Sequence, residues 1–233
     1  MSAPRLALFD LDHTLLDGDS DQLWCDFLIR EGLLDGAAFG PRNAQMEREY
    51  RAGTVSVAAF CSFYVSTLAG RSVAAWQPWR ERFLAEEIAP RIGRASRALV
   101  QRHLQAGDLV VMTTATNRFI TELTAEHLGI PYLLATEVGF TAAGPTGQLV
   151  GEPNMREGKV HRLHAWLGAR GLALEALHSL AYSDSINDRP LLEAVDAPVA
   201  VDPDPRLAQL AAERGWPVIS LRDAGGEPAA PGA

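Results

Sequence analysis

The residues able to do chemistry fall into four short segments. Near the amino terminus, Asp10-Leu11-Asp12-His13-Thr14-Leu15 carries two carboxylates separated by one residue. Farther along come Thr113-Thr114-Ala115-Thr116, then Gly158-Lys159, then Ser183-Asp184-Ser185-Ile186-Asn187-Asp188. A carboxylate of ordinary pKa, about 4, is ionised at neutral pH, so Asp10 can act as a nucleophile without a base to activate it. Asp12 can reach a leaving-group oxygen and protonate it, provided burial among other acids keeps a proton on it, and can then deprotonate a water. An anionic ligand meeting Asp10, Asp12, Asp184 and Asp188 is repelled, and more strongly where water is excluded. A metal ion and a cation must offset that repulsion, and Lys159 is the available cation. Mg²⁺ takes oxygen ligands and keeps several waters, so one or two carboxylates suffice, and Asp10 and Asp184 are the candidates. Asp188 can hold a metal-bound water, orient Lys159 or act as a charge at a helix amino terminus. Asn187 is a weaker candidate for a supporting role, because the same residue type serves as an ordinary helix N-cap.

These segments act together only if a fold gathers them. Arg5 to Phe9 is a short β-type run ending at Asp10, which predicts a buried strand with carboxylates at its tip. From about Ser20 to Pro90 the period becomes helical, with Leu23, Trp24, Phe27 and Leu28 and later Phe60, Phe63, Tyr64 and Leu68, and glycines divide the stretch into short helices. After Pro90, helix-like and strand-like segments alternate, the signature of a parallel sheet covered by helices. The predicted series is helix Ala95 to Gln105, strand Leu109 to Thr113, helix Asn117 to Leu128 and an irregular β hairpin within Thr136 to Gly151. It continues with helix Lys159 to Arg170, strand Ser179 to Tyr182, helix Asn187 to Val195, strand Val199 to Val201, helix Pro205 to Arg214 and strand Val218 to Leu221. The expected architecture is α/β, with a doubly wound, mainly parallel sheet from residues 1–16 and 91–224. Residues 17–90 form a helical cap, and 225–233, rich in Gly, Pro and Ala, a disordered tail. Open sheets of this kind bind ligands beyond the carboxyl ends of their strands, where the four segments would stand.

A net charge of -8 argues against nucleic acid as a partner, because no cluster of Lys and Arg is available to hold a phosphate backbone. No apolar run approaches the roughly 18 residues of a membrane span, and Met1 to Phe9 lacks the features of a secretory signal, so a cytoplasmic protein without membrane attachment is expected. Two cysteines, Cys25 and Cys61, have no metal-site or disulfide-framework spacing and read as reduced thiols. His161 and His164 lie three apart on a predicted helix but lack a third soft ligand, which favours a solvated face. Oligomeric state leaves no mark on the sequence.

The four segments in this order, with a helical insertion between the first and second, resemble the haloacid dehalogenase superfamily, and within it the phosphoserine-phosphatase-like branch with its Rossmann-like core. The resemblance implies a Mg²⁺-dependent phosphatase that hydrolyses a small phosphate monoester through an aspartyl-phosphate intermediate. Asp10 is then the nucleophile and Asp12 the acid/base, whose backbone carbonyl is a further metal ligand. Thr114, in register with the family pattern where Thr113 is the alternative, donates to a phosphoryl oxygen; Thr116 is a cap. His13 occupies a variable slot. Asp12 separates this pattern from the dehalogenases, which need no leaving-group acid there. Asp19 stands where phosphoserine phosphatases hold the substrate amine, although it also reads as a helix-start charge. Ala58 to Val65, where an arginine for the substrate carboxylate is expected, contains none. Arg48 or Arg51 are possible substitutes. The implied substrate is therefore an amine-bearing ester, histidinol phosphate fitting better than phosphoserine. A phosphomutase or phosphotransferase on the same fold, and a non-catalytic phosphate-binding protein, are the alternatives.

Overall fold

The computed structural model of the chain describes residues 5–222. The tail expected at 225–233 lies outside the described residues.

Strand β1, Arg5–Phe9, is buried from Leu6 onward. A strand apolar on both sides suits the interior of a parallel sheet. Its side chains alternate as a two-residue period requires. Leu6 and Leu8 enter one core, Ala7 and Phe9 the other. Burying each large apolar side chain contributes about 1.5–3 kcal/mol, so the residue following Phe9 projects from a firmly anchored strand.

The insertion follows β1. Helices α1 (Ser20–Arg30), α2 (Gly36–Ala52), α3 (Val57–Ser66) and α4 (Val73–Phe83) begin at Asp19, Asp35, Ser56 and Ser72, each accepting a backbone N–H in its first turn. A separate core of Cys25, Met46, Phe60, Cys61, Phe63 and Tyr64 joins α1, α2 and α3, whereas Trp76 and Phe83 of α4 pack into the larger core. Both cysteines are buried and free.

The chain then alternates. Helix α5 (Arg94–Gln105) leads to β2 (Leu109–Asn117), α6 (Arg118–Leu128), β3 (Tyr132–Thr141) and β4 (Gly144–Val150). Helix α7 (Glu157–Gly168), β5 (His178–Ser183), α8 (Arg189–Ala194), β6 (Ala197–Val201), α9 (Pro205–Arg214) and β7 (Val218–Ile219) follow. The seven strands form one sheet in the order β4-β3-β2-β1-β5-β6-β7. Every pair is parallel except the β3–β4 hairpin. Leu163 and Leu167 of α7, Leu191 and Leu192 of α8 and Leu207 of α9 cover one face. Leu99 and Val100 of α5, Phe119 and Ile120 of α6 and Trp24 and Phe27 of α1 cover the other. The sheet is therefore doubly wound, as expected.

Three boundaries differ from expectation in ways that bear on the site. Strand β2 runs to Asn117 instead of ending at Thr113, so all three threonines of the second segment lie on it. Helix α7 starts at Glu157 and places Lys159 in its first turn. The helix expected from Asn187 is instead a 3₁₀ turn, Ile186–Asp188, followed by α8. Pro190 explains the later start: its fixed φ and missing N–H suit the first turn of a helix. Among the described residues, no helix is long and apolar enough to cross a membrane.

Candidate active site

Asp10 leaves the tip of β1 with its N–H bonded to the Tyr182 carbonyl of β5 at 3.0 Å. Its carboxylate is buried. The Lys159 ammonium, equally buried, donates to Asp10 Oδ1 at 2.7 Å and to Asp188 Oδ2 at 2.6 Å. The chain approaching Lys159 passes so tightly that a Cβ on Gly158 would stand 2.1 Å from the Pro153 carbonyl oxygen, which reserves that position for glycine. Asp188 also accepts from the Ser183 hydroxyl at 2.8 Å.

Thr14 joins the first segment to the fourth. Its hydroxyl lies 3.1 Å from Asp10 Oδ2 and 3.2 Å from Asp184 Oδ1, and accepts the Asp184 N–H at 3.0 Å. Asp12 has different neighbours. Its Oδ1 accepts the Ser20 N–H at the start of α1 at 2.7 Å. Its Oδ2 lies 3.2 Å from the Thr114 hydroxyl and 3.0 Å from that of Thr116. Thr116 is thus more than a cap. The Thr113 hydroxyl is engaged elsewhere, accepting from Asn154 at 3.0 Å.

Burial, followed by the charges of Asp188 and Asp12, pushes the Asp10 carboxyl up to about 7, against the lowering influence of Lys159. Asp184 is also raised well above the usual carboxylate range, first by burial and then by Asp10 and Asp188. Burial works against the charge on Lys159, but the two carboxylates prevail and raise its pKa. The site therefore holds more negative charge than its one ammonium offsets, in a place where repulsion is weakly screened. Among the described residues no three His, Cys, Asp or Glu side chains already converge on one point. Magnesium does not demand that, since it keeps waters and takes one or two carboxylates. The hard oxygens of Asp10 and Asp184, with the Asp12 carbonyl, suit it chemically.

Beside these groups a cavity of about 490 Å³ is lined by Asp19, Glu47, Tyr50, Asp184, Ser185 and Arg206, among others. Asp19 is the helix-start charge that the sequence suggested, and it also reaches the cavity. It caps α1, accepting the Gln22 N–H at 2.9 Å, and its carboxylate borders the cavity. Burial, then the charge of Asp12, raises it to about 7, with Glu47 adding to the effect. Asn187 is not a helix cap. Its Oδ1 accepts from Arg156 Nε at 3.2 Å, while its side-chain nitrogen is buried without a partner among the described residues.

His13 adopts a positive φ of 57° and lines the cavity mouth. His161 and His164 are exposed, and His161 lies 3.1 Å from Glu152. A solvated face, as expected, accounts for both. In place of the missing arginine, α3 turns Phe60, Cys61, Phe63 and Tyr64 into the core of the insertion.

Sequence reasoning missed Glu47, Tyr50, Asn154 and Arg156. Tyr50 reaches in from α2: burial, then the charges of Asp184, Asp10 and Asp188, raises its pKa against the lowering influence of Ser185. The three-residue spacing of Glu47 and Tyr50, which puts both on one helix face, was the only available signal.

Comparison with known proteins agrees with this geometry. Residues 7–193 match the family model for haloacid dehalogenase-like hydrolases. A histidinol-phosphatase of Neisseria meningitidis is 40% identical over 220 residues, 94% of this chain and 99% of the relative. A phosphoserine phosphatase of Mycobacterium tuberculosis is 35% identical over 93% of this chain and 70% of its own length. The crystal structure of a Bordetella pertussis protein of unknown function superposes with a TM-score of 0.88 at 42% identity, covering 93% of this chain and 98% of the other. With the polar side chains of four distant segments gathered at one sheet edge beneath a helical insertion, the chain belongs to the haloacid dehalogenase-like hydrolases, in their phosphoserine-phosphatase-like group.

Proposed function

We propose that this enzyme is a Mg²⁺-dependent phosphatase acting on a small, amine-bearing phosphate monoester through an aspartyl-phosphate on Asp10. One observation carries the proposal: the two acids of the first segment have different partners. Asp10 faces Lys159 and Thr14, whereas Asp12 is held by Ser20, Thr114 and Thr116. Paired carboxylates in distinct environments can divide the labour of nucleophile and acid/base.

An Asp10 oxygen attacks phosphorus as the bond to the ester oxygen breaks, and Asp12 gives its proton to the departing alkoxide. Asp12, now ionised, takes a proton from a water that attacks the acyl phosphate. Inorganic phosphate leaves and the Asp10 carboxylate returns. Lys159 offsets charge on the phosphoryl group, Asp188 keeps that ammonium in place, and the Thr114 hydroxyl can turn from Asp12 to a phosphoryl oxygen. A magnesium ion held by Asp10, Asp184 and the Asp12 carbonyl would supply Lewis-acid stabilisation of the transferring phosphoryl group. The helical insertion acts as a cap that limits substrate size and excludes water during transfer to Asp10.

The acidic cavity supports a cationic substrate. Asp19 and Glu47 offer carboxylates to an amine, and α3 brings no arginine for a carboxylate. Histidinol phosphate has the amine and lacks the carboxylate, and the Neisseria relative carries the name histidinol-phosphatase. The test is phosphate release from histidinol phosphate, phosphoserine and an amine-free ester, with Mg²⁺ and with EDTA. Mg²⁺-dependent turnover that ranks histidinol phosphate first is expected. Turnover of none of them overturns the phosphatase assignment, and a preference for the amine-free ester overturns the substrate class.

A further inference from the structure

Arg156 holds a backbone conformation that its side chain does not favour. Its φ is 53° and its ψ -124°, outside the small left-handed region open to residues other than glycine. Such strain is unfavourable and persists where the surroundings enforce it, commonly beside functional sites. Arg156 stands three residues before Lys159 and immediately before α7.

Its guanidinium reaches two separate parts of the molecule. Nε donates to Asn187 Oδ1 at 3.2 Å, and Nη2 donates to the Gly53 carbonyl at 3.4 Å. Gly53 ends α2, the helix that carries Glu47 and Tyr50 over the site, and adopts a left-handed φ of 70°. A second arginine supports the same turn: Arg206 Nη1 donates to the Ala52 carbonyl at 3.3 Å. The packing there is so close that a Cβ on Gly53 would meet Arg206 at 2.2 Å. The last carbonyls of a helix carry its negative dipole end, so two guanidiniums form a complementary seat for it. Arg206 is tied in turn to the fourth segment, because Asp204, which accepts the Arg206 N–H at 2.8 Å, also accepts the Ile186 N–H at 2.7 Å.

The bond from Arg156 leaves Asn187 with one free function. Its carbonyl oxygen is occupied, which fixes the amide orientation, and its buried nitrogen remains an unpaired donor among the described residues. A buried unpaired donor is costly unless a ligand oxygen completes it.

Resting on the phosphatase assignment above, we propose that Arg156 is a positioning residue that couples seating of α2 over the site to the orientation of the Asn187 amide. When α2 is seated, Gly53 and Asn187 hold the two edges of the guanidinium, and the Asn187 nitrogen is presented to an oxygen of the bound phosphoryl group. When α2 lifts, the guanidinium loses one anchor and Asn187 its fixed orientation. A planar, forked side chain suits this task; the single ammonium of lysine cannot hold both acceptors in those directions.

The strain makes the test sharp. Arg156→Gly relieves the backbone while removing the fork, and Arg156→Lys keeps the charge without the fork. Both are compared with wild type for thermal midpoint, kcat and KM on the best ester from the screen, with and without added guanidinium. The expected result is an Arg156→Gly midpoint at or above wild type and a kcat lower by about 10- to 100-fold. Millimolar guanidinium partly restores that loss, and Arg156→Lys is impaired to a similar degree. An Arg156→Gly enzyme within twofold of wild-type kcat, or an Arg156→Lys enzyme with full activity, overturns the coupling. If Arg156→Gly is too unstable to assay, strain relief fails as an account and Arg156→Lys alone decides. Wild type inactive on every ester overturns the phosphatase assignment instead, so the two failures are told apart.

Discussion

The side-chain nitrogen of Asn154 lies 3.0 Å from the Thr113 hydroxyl. The same nitrogen is 3.0 Å from the Thr114 and Leu134 carbonyls, so a fully buried amide ties β2 to β3 beside the site. Thr113 is thereby committed to structure, and Thr114 is left to face Asp12. The two threonines should respond in opposite ways to substitution. Thr113→Val is expected to lower stability by about 1–3 kcal/mol, with kcat nearly unchanged. Thr114→Val is expected to lower kcat by about 100-fold or more, with a smaller change in stability. Denaturant unfolding together with steady-state kinetics separates the cases, and a reversed pattern would move the catalytic hydroxyl to Thr113.

Asp10→Asn should abolish turnover while stabilising the metal-free protein. With its carboxyl raised to about 7, the folded protein binds a proton that the unfolded chain releases near pH 4. Stability of the wild type therefore falls as pH rises from about 4 through 7. An amide at this position escapes that loss. The thermal midpoint of Asp10→Asn in EDTA should exceed that of wild type by a margin that widens up to about pH 8. A margin that shrinks as pH rises would contradict the charge balance derived for the site.

Metal dependence should carry the same signature. EDTA is expected to remove activity and added Mg²⁺ to restore it. Because ligand carboxylates must be ionised, and those of Asp10 and Asp184 are raised, apparent Mg²⁺ affinity should weaken as pH falls through about 7. Calorimetric titration at pH 6 and pH 8 reads this directly, and equal affinities at both would count against these ligands.

Asp19 should act on one class of substrate. Ionising at about 7, it can attract an amine fully only above that pH, so KM for an amine-bearing ester should fall as pH rises through 7, relative to an amine-free ester. Asp19→Asn preserves the helix cap and should raise KM for the amine-bearing ester by about tenfold or more. The ratio of the two KM values then becomes insensitive to pH. An unchanged ratio in the variant would leave Asp19 as a cap alone.

What could be read from the sequence was whatever local pattern encodes. Asp10 and Asp12 follow a short apolar run, which betrays a strand tip, and Lys159 and Asp184 follow breaks between elements of known period. The insertion was legible because Trp24, Phe27, Phe60 and Tyr64 repeat at helical spacing. The helix start at Asn187 was misplaced because the residue type favours a helix beginning there, whereas the proline at position 190 delays α8 and a 3₁₀ turn intervenes. Glu47 and Tyr50 were invisible for a different reason. The polar sequence around them does not say which face of α2 meets the sheet edge; packing against the core decides it. Arg156 and Asn154 lie in a connecting segment, where no period exists and a backbone dihedral leaves no trace in residue type.

The place of β1 in the sheet order has a consequence for synthesis. This strand leaves the ribosome before the other strands of the sheet, yet its two neighbours are β2 and β5, and the latter is made only after β2, β3 and β4. Loop closure over such a distance is slow, and the nascent amino-terminal segment must wait with its apolar side chains uncovered. A chain that stops before Ser183 lacks Asp184 and Asp188 and leaves β1 without the full length of its β5 neighbour, so the two halves of the acid cluster can meet only late in synthesis.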